Sequence, residues 1–218
     1  MYYHDVAKKN GNVYTPMSTD MKDFARQVDI LPRYGEIVSR ISKPERQFMI
    51  AFDDGFKGVY DNKEFFVSKG IYPTIFVAKN LIGKDGYMDE EQIKELDDLG
   101  FNFQSHTVSH VDMTSLSVDE LRKELAVSKS YLSSMLNKNV DEICCPIGYY
   151  NEQVIEEAKK AGYKKIYLSF PSPYALNDIV TGRYFCQSLS LFQFKLLLSG
   201  GMDMLKNRYK KLHYKVGS

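Results

Sequence analysis

The chain has no tryptophan, three cysteines and four histidines among its 218 residues. Each shortage excludes something. Three cysteines, two of them adjacent at Cys144 and Cys145, cannot build a disulfide framework or a four-cysteine zinc site. Lys and Arg total 29 against 28 Asp and Glu, a formal net charge of +1. No global basic footprint therefore exists, and nucleic acid is not expected as a partner. No apolar run reaches the ~18 residues of a membrane-spanning helix; the richest stretch, Leu191 to Leu198, is broken by Gln193 and Lys195. The opening Met1-Tyr2-Tyr3-His4-Asp5-Val6 lacks the basic-then-apolar pattern of a secretory signal. The chain as given is thus expected in the cytoplasm or at the cytoplasmic membrane face, or outside the cytoplasm if a signal has been removed.

What is present is the balance of an ordinary globular protein, 44% hydrophobic and 26% charged. Length and composition suit a single domain over 1–218, with a basic tail at about 202–218. Within it, strand-like and helix-like segments alternate. Ser18 or Thr19 is placed to cap a helix with Met21, Phe24, Val28 and Leu31 on its apolar face. Gln47 to Phe52 reads as a strand buried on both faces, followed by a helix around Tyr60 to Lys69 that stops at Gly70. Pro73 to Ala78, Phe101 to Gln104, Glu142 to Cys145 and Lys165 to Ser169 are further strands, and Tyr184 to Gln187 is a sixth. Asp89 caps one intervening helix and Asn151 another. Ser117 and Glu120 form a capping box for a third, running to Leu136, with Leu116 as a hydrophobic staple to Leu121. This alternation predicts an α/β fold with a mainly parallel sheet, open or closed into a barrel.

In such folds functional groups collect at the C-terminal ends of strands. Three clusters fall there: Asp53-Asp54-Gly55, then His106-Thr107-Val108-Ser109-His110, then Cys145-Pro146-Ile147-Gly148-Tyr149-Tyr150-Asn151. Each has a plain reading as a turn, a histidine pair or the lead into a helix cap. Together, one carboxylate and two imidazoles make a three-ligand divalent-metal site with open positions, and the second carboxylate is free to act as a base.

These residues resemble the polysaccharide deacetylase family, the NodB-homology domain of carbohydrate esterase family 4. Ala51-Phe52-Asp53-Asp54-Gly55 is similar to the family's Thr-Phe-Asp-Asp-Gly motif. His106-Thr107-Val108-Ser109-His110 completes its His-Ser/Thr-x-x-His motif, and Cys144-Cys145-Pro146-Ile147-Gly148-Tyr149-Tyr150-Asn151 partly matches Arg-Pro-Pro-Tyr-Gly-x-x-Asn. Pro73 to Val77 resembles a further family strand. Tyr3-His4-Asp5-Val6 is similar to the branch containing poly-N-acetylglucosamine deacetylases. The resemblance implies a distorted (β/α) barrel of the NodB-homology type and metal-dependent removal of acetyl groups, N-acetyl favoured, from a cell-surface glycan or its precursor. An acetylated oligo- or polysaccharide is then the partner. It also implies Asp54, His106 and His110 as ligands of one divalent ion, expected to be zinc, with cobalt, nickel, manganese or iron as alternatives. Asp53 becomes the general base. The Ile147 N–H is a candidate oxyanion donor, Thr107 a brace for the histidine loop, and Tyr149 and Tyr150 are either a platform for a sugar ring or aromatic packing.

The chain departs from the family pattern in four places. Cys144 stands where members often carry an arginine that orients the base. Arg183, in Thr181-Gly182-Arg183-Tyr184, is the candidate to restore it, against the alternative of a surface arginine. A Trp-bearing fourth motif is missing. The Leu-x-His supplying a general acid has no convincing match either; His213 lies in the basic tail, and His4 is read as structural. Cys144 and Cys145 read as small buried hydrophobes. The tail reads as a solvated helix, or as a surface making peripheral membrane contact. Two rival functions use the same residues: a 2-His-1-carboxylate iron(II) enzyme, disfavoured by the paired Asp53-Asp54, and a non-catalytic glycan-binding relative.

Overall fold

The computed structural model describes residues 1–43, 45–171 and 178–200. The tail at 202–218, with His213 and any membrane contact made through it, lies outside the described residues. Seven strands form one sheet in chain order, every neighbouring pair parallel. They are β1 (Tyr2–Tyr3), β2 (Ala51–Phe52), β3 (Thr74–Val77), β4 (Asn102–Ser105), β5 (Glu142–Cys144), β6 (Lys165–Leu168) and β7 (Val180–Gly182). The helices are α1 (Met21–Ile30), α2 (Gly58–Asp61), α3 (Lys63–Lys69), α4 (Glu90–Asp98), α5 (Val118–Leu136), α6 (Glu152–Lys160) and α7 (Leu191–Leu198). Among the described residues no helix is long and apolar enough to cross a membrane.

The sheet curls until its ends nearly meet. The Tyr2 N–H donates to the Tyr184 carbonyl at 2.8 Å and the Cys186 N–H donates to the Tyr2 carbonyl at 3.1 Å. This single bridge between Tyr2 and Phe185 closes the ring into a distorted barrel. Side chains then alternate with period two. Tyr2, Ala51, Phe76, Cys144 and Tyr167, with Met49, form a small cluster inside the ring. Tyr3, Phe52, Ile75 and Phe103 point the other way, into the main core beneath the helices. There Phe24, Phe52 and Phe66 meet ring against ring, with centroids 5.6 to 5.8 Å apart. Full burial of each such ring contributes roughly 1.5–3 kcal/mol. Helix α5 presents Leu121, Leu125, Ser128 and Leu132 to the interior at helical spacing.

Helix starts follow local chemistry. Ser117 and Glu120 make the expected capping box of α5. Asp89 and Gln92 make another for α4, and Asn151 caps α6 through the Val154 N–H. The cap of α1 is Asp20, which accepts from the Lys22 N–H, because Ser18 and Thr19 are held in a short strand beside Asp5–Ala7. The Gln47–Phe52 run divides, since Gln47–Phe48 pairs with Glu36–Ile37 while Ala51–Phe52 enters the barrel. The helix expected near Tyr60 to Lys69 breaks at Asn62, whose side chain donates to the Gly58 carbonyl. The strand expected at Tyr184 to Gln187 lies earlier, at Val180–Gly182, where the chain pairs with β6.

Asp5 follows β1 and is fully buried against Gly58, where a Cβ would come within 2.1 Å of the Asp5 Oδ1. Burial pushes its carboxyl up to about 7. The folded state thus holds this proton more tightly than the unfolded chain, whose carboxyl titrates near ~3.9. The contribution is fully present below the unfolded value and is lost as pH rises through about 7. Asp5→Asn is therefore expected to flatten the fall in denaturant midpoint between about pH 5 and pH 8. Equal slopes in the two proteins would contradict this assignment.

Candidate active site

A wholly parallel ring sends every strand's C-terminal end to the same edge, and the candidate residues gather there. Asp53 and Asp54 follow β2, His106 to His110 follow β4, Cys145 to Tyr150 follow β5 and Arg183 follows β7. His106 Nε2 and His110 Nε2 lie 3.3 Å and 3.1 Å from Asp54 Oδ1, and the three ligand atoms fall within 4.8 Å of one another. His106 Nδ1 is 2.8 Å from the Cys144 carbonyl oxygen. A proton on Nδ1 satisfies that carbonyl and leaves the Nε2 lone pair facing Asp54. Asp54 Oδ1 is itself buried without a hydrogen-bond partner. A buried carboxylate oxygen lacking a donor, faced by two imidazole nitrogens, is a donor set that fits a divalent cation. Asp53, His106 and Cys144 form a second cluster at similar spacing, but it is the poorer ligand set. Both Asp53 oxygens are engaged elsewhere, and burial pushes the Cys144 thiol well above its ordinary value.

Arg183 is buried, not on the surface. Its Nη1 donates to Asp53 Oδ1 at 2.7 Å and its Nη2 to Asp53 Oδ2 at 2.8 Å, a bidentate pair. The guanidinium lies over the Tyr2 ring at 4.4 Å and the Phe76 ring at 5.2 Å, and Nη2 reaches the Cys144 sulfur at 2.8 Å. The small cysteine leaves the space this head occupies. Burial works against the Asp53 charge, and the adjacent guanidinium outweighs it, so the carboxyl stays below its usual range.

The loops carrying these groups are strained. Asp54, Thr107, His110 and Ile147 have φ of 71°, 69°, 56° and 61°, costing of order 1–3 kcal/mol each. Such angles persist only where surrounding contacts over-determine them. Gly55 also has positive φ, and a Cβ there would meet Val77 Cγ1 at 2.7 Å. The histidine loop is braced by Thr107 Oγ1, which accepts from the His110 N–H at 3.1 Å. Glu124 on α5, absent from the sequence reading, clamps it further. Its Oε2 accepts from the Val108 and Ser109 N–H groups at 2.8 and 3.0 Å, and its Oε1 accepts from the Ser109 hydroxyl at 2.5 Å. The only local signal was its position on the helix opened by the Ser117 box.

A cavity of about 530 Å³ opens over Asp53, Asp54, His106 and His110 and is also lined by His4 and Ile147. Ile147 is 52% exposed. Tyr149 does not line the cavity; it is half-buried after the strained turn. Tyr150 is buried and stacks on Phe170 at 5.7 Å. Of the two readings for this pair, Tyr150 follows aromatic packing, and Tyr149 stands off the cavity wall. His4, read as structural, faces the cavity, with Nδ1 3.1 Å from Gln187 Oε1.

Residues 40–166 match the family model for polysaccharide deacetylases. The chain belongs to the polysaccharide deacetylase family. Among its relatives, the Bacillus subtilis protein YxkH is 32% identical over 130 residues, which is 59% of this chain and 47% of that protein. The poly-beta-1,6-N-acetyl-D-glucosamine N-deacetylase of Staphylococcus aureus is 26% identical over 136 residues, 56% of this chain and 47% of that one. The chain spans about half the length of these curated relatives. The Streptococcus pyogenes deacetylase PplD, solved in complex with acetate, shares the fold with a TM-score of 0.78 at 21% identity, covering 91% of this chain and 95% of that one. The fold is that of the deacetylases with a NodB-type barrel. Arg183 lies beyond the matched span, which ends at residue 166.

If Glu124 holds the histidine loop in register, Glu124→Ala should weaken zinc binding about 10–100-fold, the usual effect of losing an outer partner. Glu124→Gln, which keeps an acceptor oxygen, should retain most of the affinity. Chelator competition measures both, and wild-type affinity in the Ala variant would remove the clamp from the account.

Proposed function

We propose that the chain is a metal-dependent hydrolase that removes acetyl groups, N-acetyl in preference to O-acetyl, from a cell-surface glycan or its precursor. One observation carries this reading: a carboxylate and two imidazoles converge beside a second carboxylate that is held separately by Arg183. The relatives' names, which include an N-acetylglucosamine N-deacetylase and a deacetylase solved with acetate, support the same chemistry. The buried, bidentate Asp53–Arg183 pair favours an enzyme over a non-catalytic binding protein, and the carboxylate adjacent to the ligand set favours hydrolysis over an iron(II) oxygenase.

Asp54, His106 and His110 would hold the ion, zinc in this reading. When bound, a divalent ion supplies Lewis acidity toward water and toward the acetyl carbonyl. The side chains supply the rest. Asp53 stays ionised because Arg183 is beside it; Arg183 takes two of its four lone-pair sites and the Cys144 thiol reaches Oδ2 at 3.8 Å, which leaves a site for water. The carboxylate accepts the proton of the attacking water without rotating, because the bidentate contact fixes its plane. The Ile147 N–H, held on the cavity rim by a left-handed turn, donates to the oxygen that gains charge. The C–N bond then breaks, acetate leaves and the amine takes a proton. His4 is the imidazole left for that last transfer among the described cavity residues, with Gln187 engaging Nδ1 and leaving Nε2 for the work. The proposed setting is the cytoplasm or the cytoplasmic face of the membrane, or outside the cytoplasm if a signal has been removed.

Acetate release from acetylated oligosaccharides by zinc-loaded protein tests this directly. Asp53→Asn should keep the metal yet lose about 10²–10⁴-fold in kcat, the usual worth of a general base. Unchanged turnover in that variant removes Asp53 from the mechanism. No acetate from any acetylated sugar at full metal occupancy overturns the reading as a whole.

A further inference from the structure

We infer that the acetylated sugar reaches this site joined to an apolar aglycone, as a lipid-linked saccharide and not as a free polymer strand. The inference rests on the deacetylase reading above and concerns what lies on the far side of the sugar. One wall of the cavity carries the reactive groups. The rest of the described lining is Met17, Ile147, Pro171, Phe185, Leu189 and Leu197, joined by Tyr2, Tyr184, His4 and Ser169. The Tyr2 hydroxyl is already spent on the Ser169 carbonyl at 3.2 Å. No Asn, Gln, Lys, Arg or Glu side chain appears in the described lining.

A glycan strand crossing this mouth would bring hydroxyl and amide groups on every residue, and they are recognised by side-chain hydrogen bonds and aromatic platforms. Among the described residues this wall offers few side-chain donors or acceptors, and its one well-exposed ring is Phe185, with Tyr184 half-buried beside it. The acetyl methyl accounts for one carbon of apolar contact, whereas six apolar side chains are arranged here. The apolar character also continues outward. Phe185 is 43% exposed and Met17 38% exposed. Apolar surface that runs from reactive centre to solvent in this way suits a ligand whose one end is a sugar and whose other end is hydrocarbon.

The test compares methyl and octyl β-N-acetylglucosaminide, below the micelle concentration, as substrates of the zinc-loaded protein and as ligands of Asp53→Asn by calorimetry. Each methylene buried should raise affinity about fourfold, the equivalent of ~0.8 kcal/mol. With two or more methylenes buried, the octyl compound should gain at least about tenfold in both kcat/KM and affinity. A Met17→Ser, Phe185→Ser double variant, changed only at partly exposed positions, should lose that gain. Equal values for the two glycosides overturn the inference while acetate release leaves the deacetylase reading intact. A gain that survives in the double variant overturns it too, since the alkyl chain then binds elsewhere. If neither compound yields acetate, calorimetry still decides the aglycone, and the deacetylase reading is judged on the acetylated oligosaccharides above.

Discussion

The site depends on one buried ion pair, Asp53 with Arg183. Both side chains are almost wholly buried, and withdrawing two charges from water costs several kcal/mol each even after relaxation. Such a pair adds little stability over well-packed apolar residues. Its geometry is what it provides: a carboxylate fixed in plane, kept ionised, and set one residue before the Asp54 that joins the imidazoles. The guanidinium is itself held by the rings of Tyr2 and Phe76, by the Leu168 carbonyl and by the Cys144 sulfur. Residues on β1, β3, β5 and β6 thus all bear on one base, and the curl of the sheet brings them together.

The second constraint is preorganisation against strain. Among the described residues, four of the seven non-glycine positions with positive φ belong to this edge, so the strain is concentrated where chemistry is proposed. Opposing it are contacts that do not touch the ligand atoms. The Lys79 and Asn80 N–H groups donate to the Thr107 and Val108 carbonyls at 3.1 and 2.8 Å. On the other side Glu124 collects the Val108 and Ser109 donors. The histidine loop is therefore tied to the turn that follows β3 and to the helix behind it.

Much of this was legible in the chain. Asp53-Asp54, His106 and His110 stand at ends of strands whose apolar runs are easy to read, and one topological rule gathers them on one edge. Helix starts were legible where Ser, Asp or Asn precedes a matching Glu or Gln. What the sequence concealed has physical causes. Strand β1 is two residues long and β7 is Val-Thr-Gly; neither holds enough alternation to register as a strand. Ring closure rests on backbone bonds between Tyr2 and residues 184 and 186, which no side-chain pattern encodes. Tyr149 stands off the cavity wall, two residues after Ile147, a β-branched residue in a left-handed turn that sequence preference would refuse. The Arg183 reading rested on position alone, yet its partner is the residue expected.

The central claim is that Arg183 fixes the base across the barrel in place of an arginine beside it. The kcat of Arg183→Lys at confirmed full metal occupancy tests this most directly. Lysine keeps the charge but cannot hold both carboxylate oxygens in one plane. The account expects turnover to fall by at least about tenfold, a fraction of what a general base contributes, with metal content and thermal unfolding close to wild type. A metal-replete Lys variant that turns over as fast as wild type would contradict it.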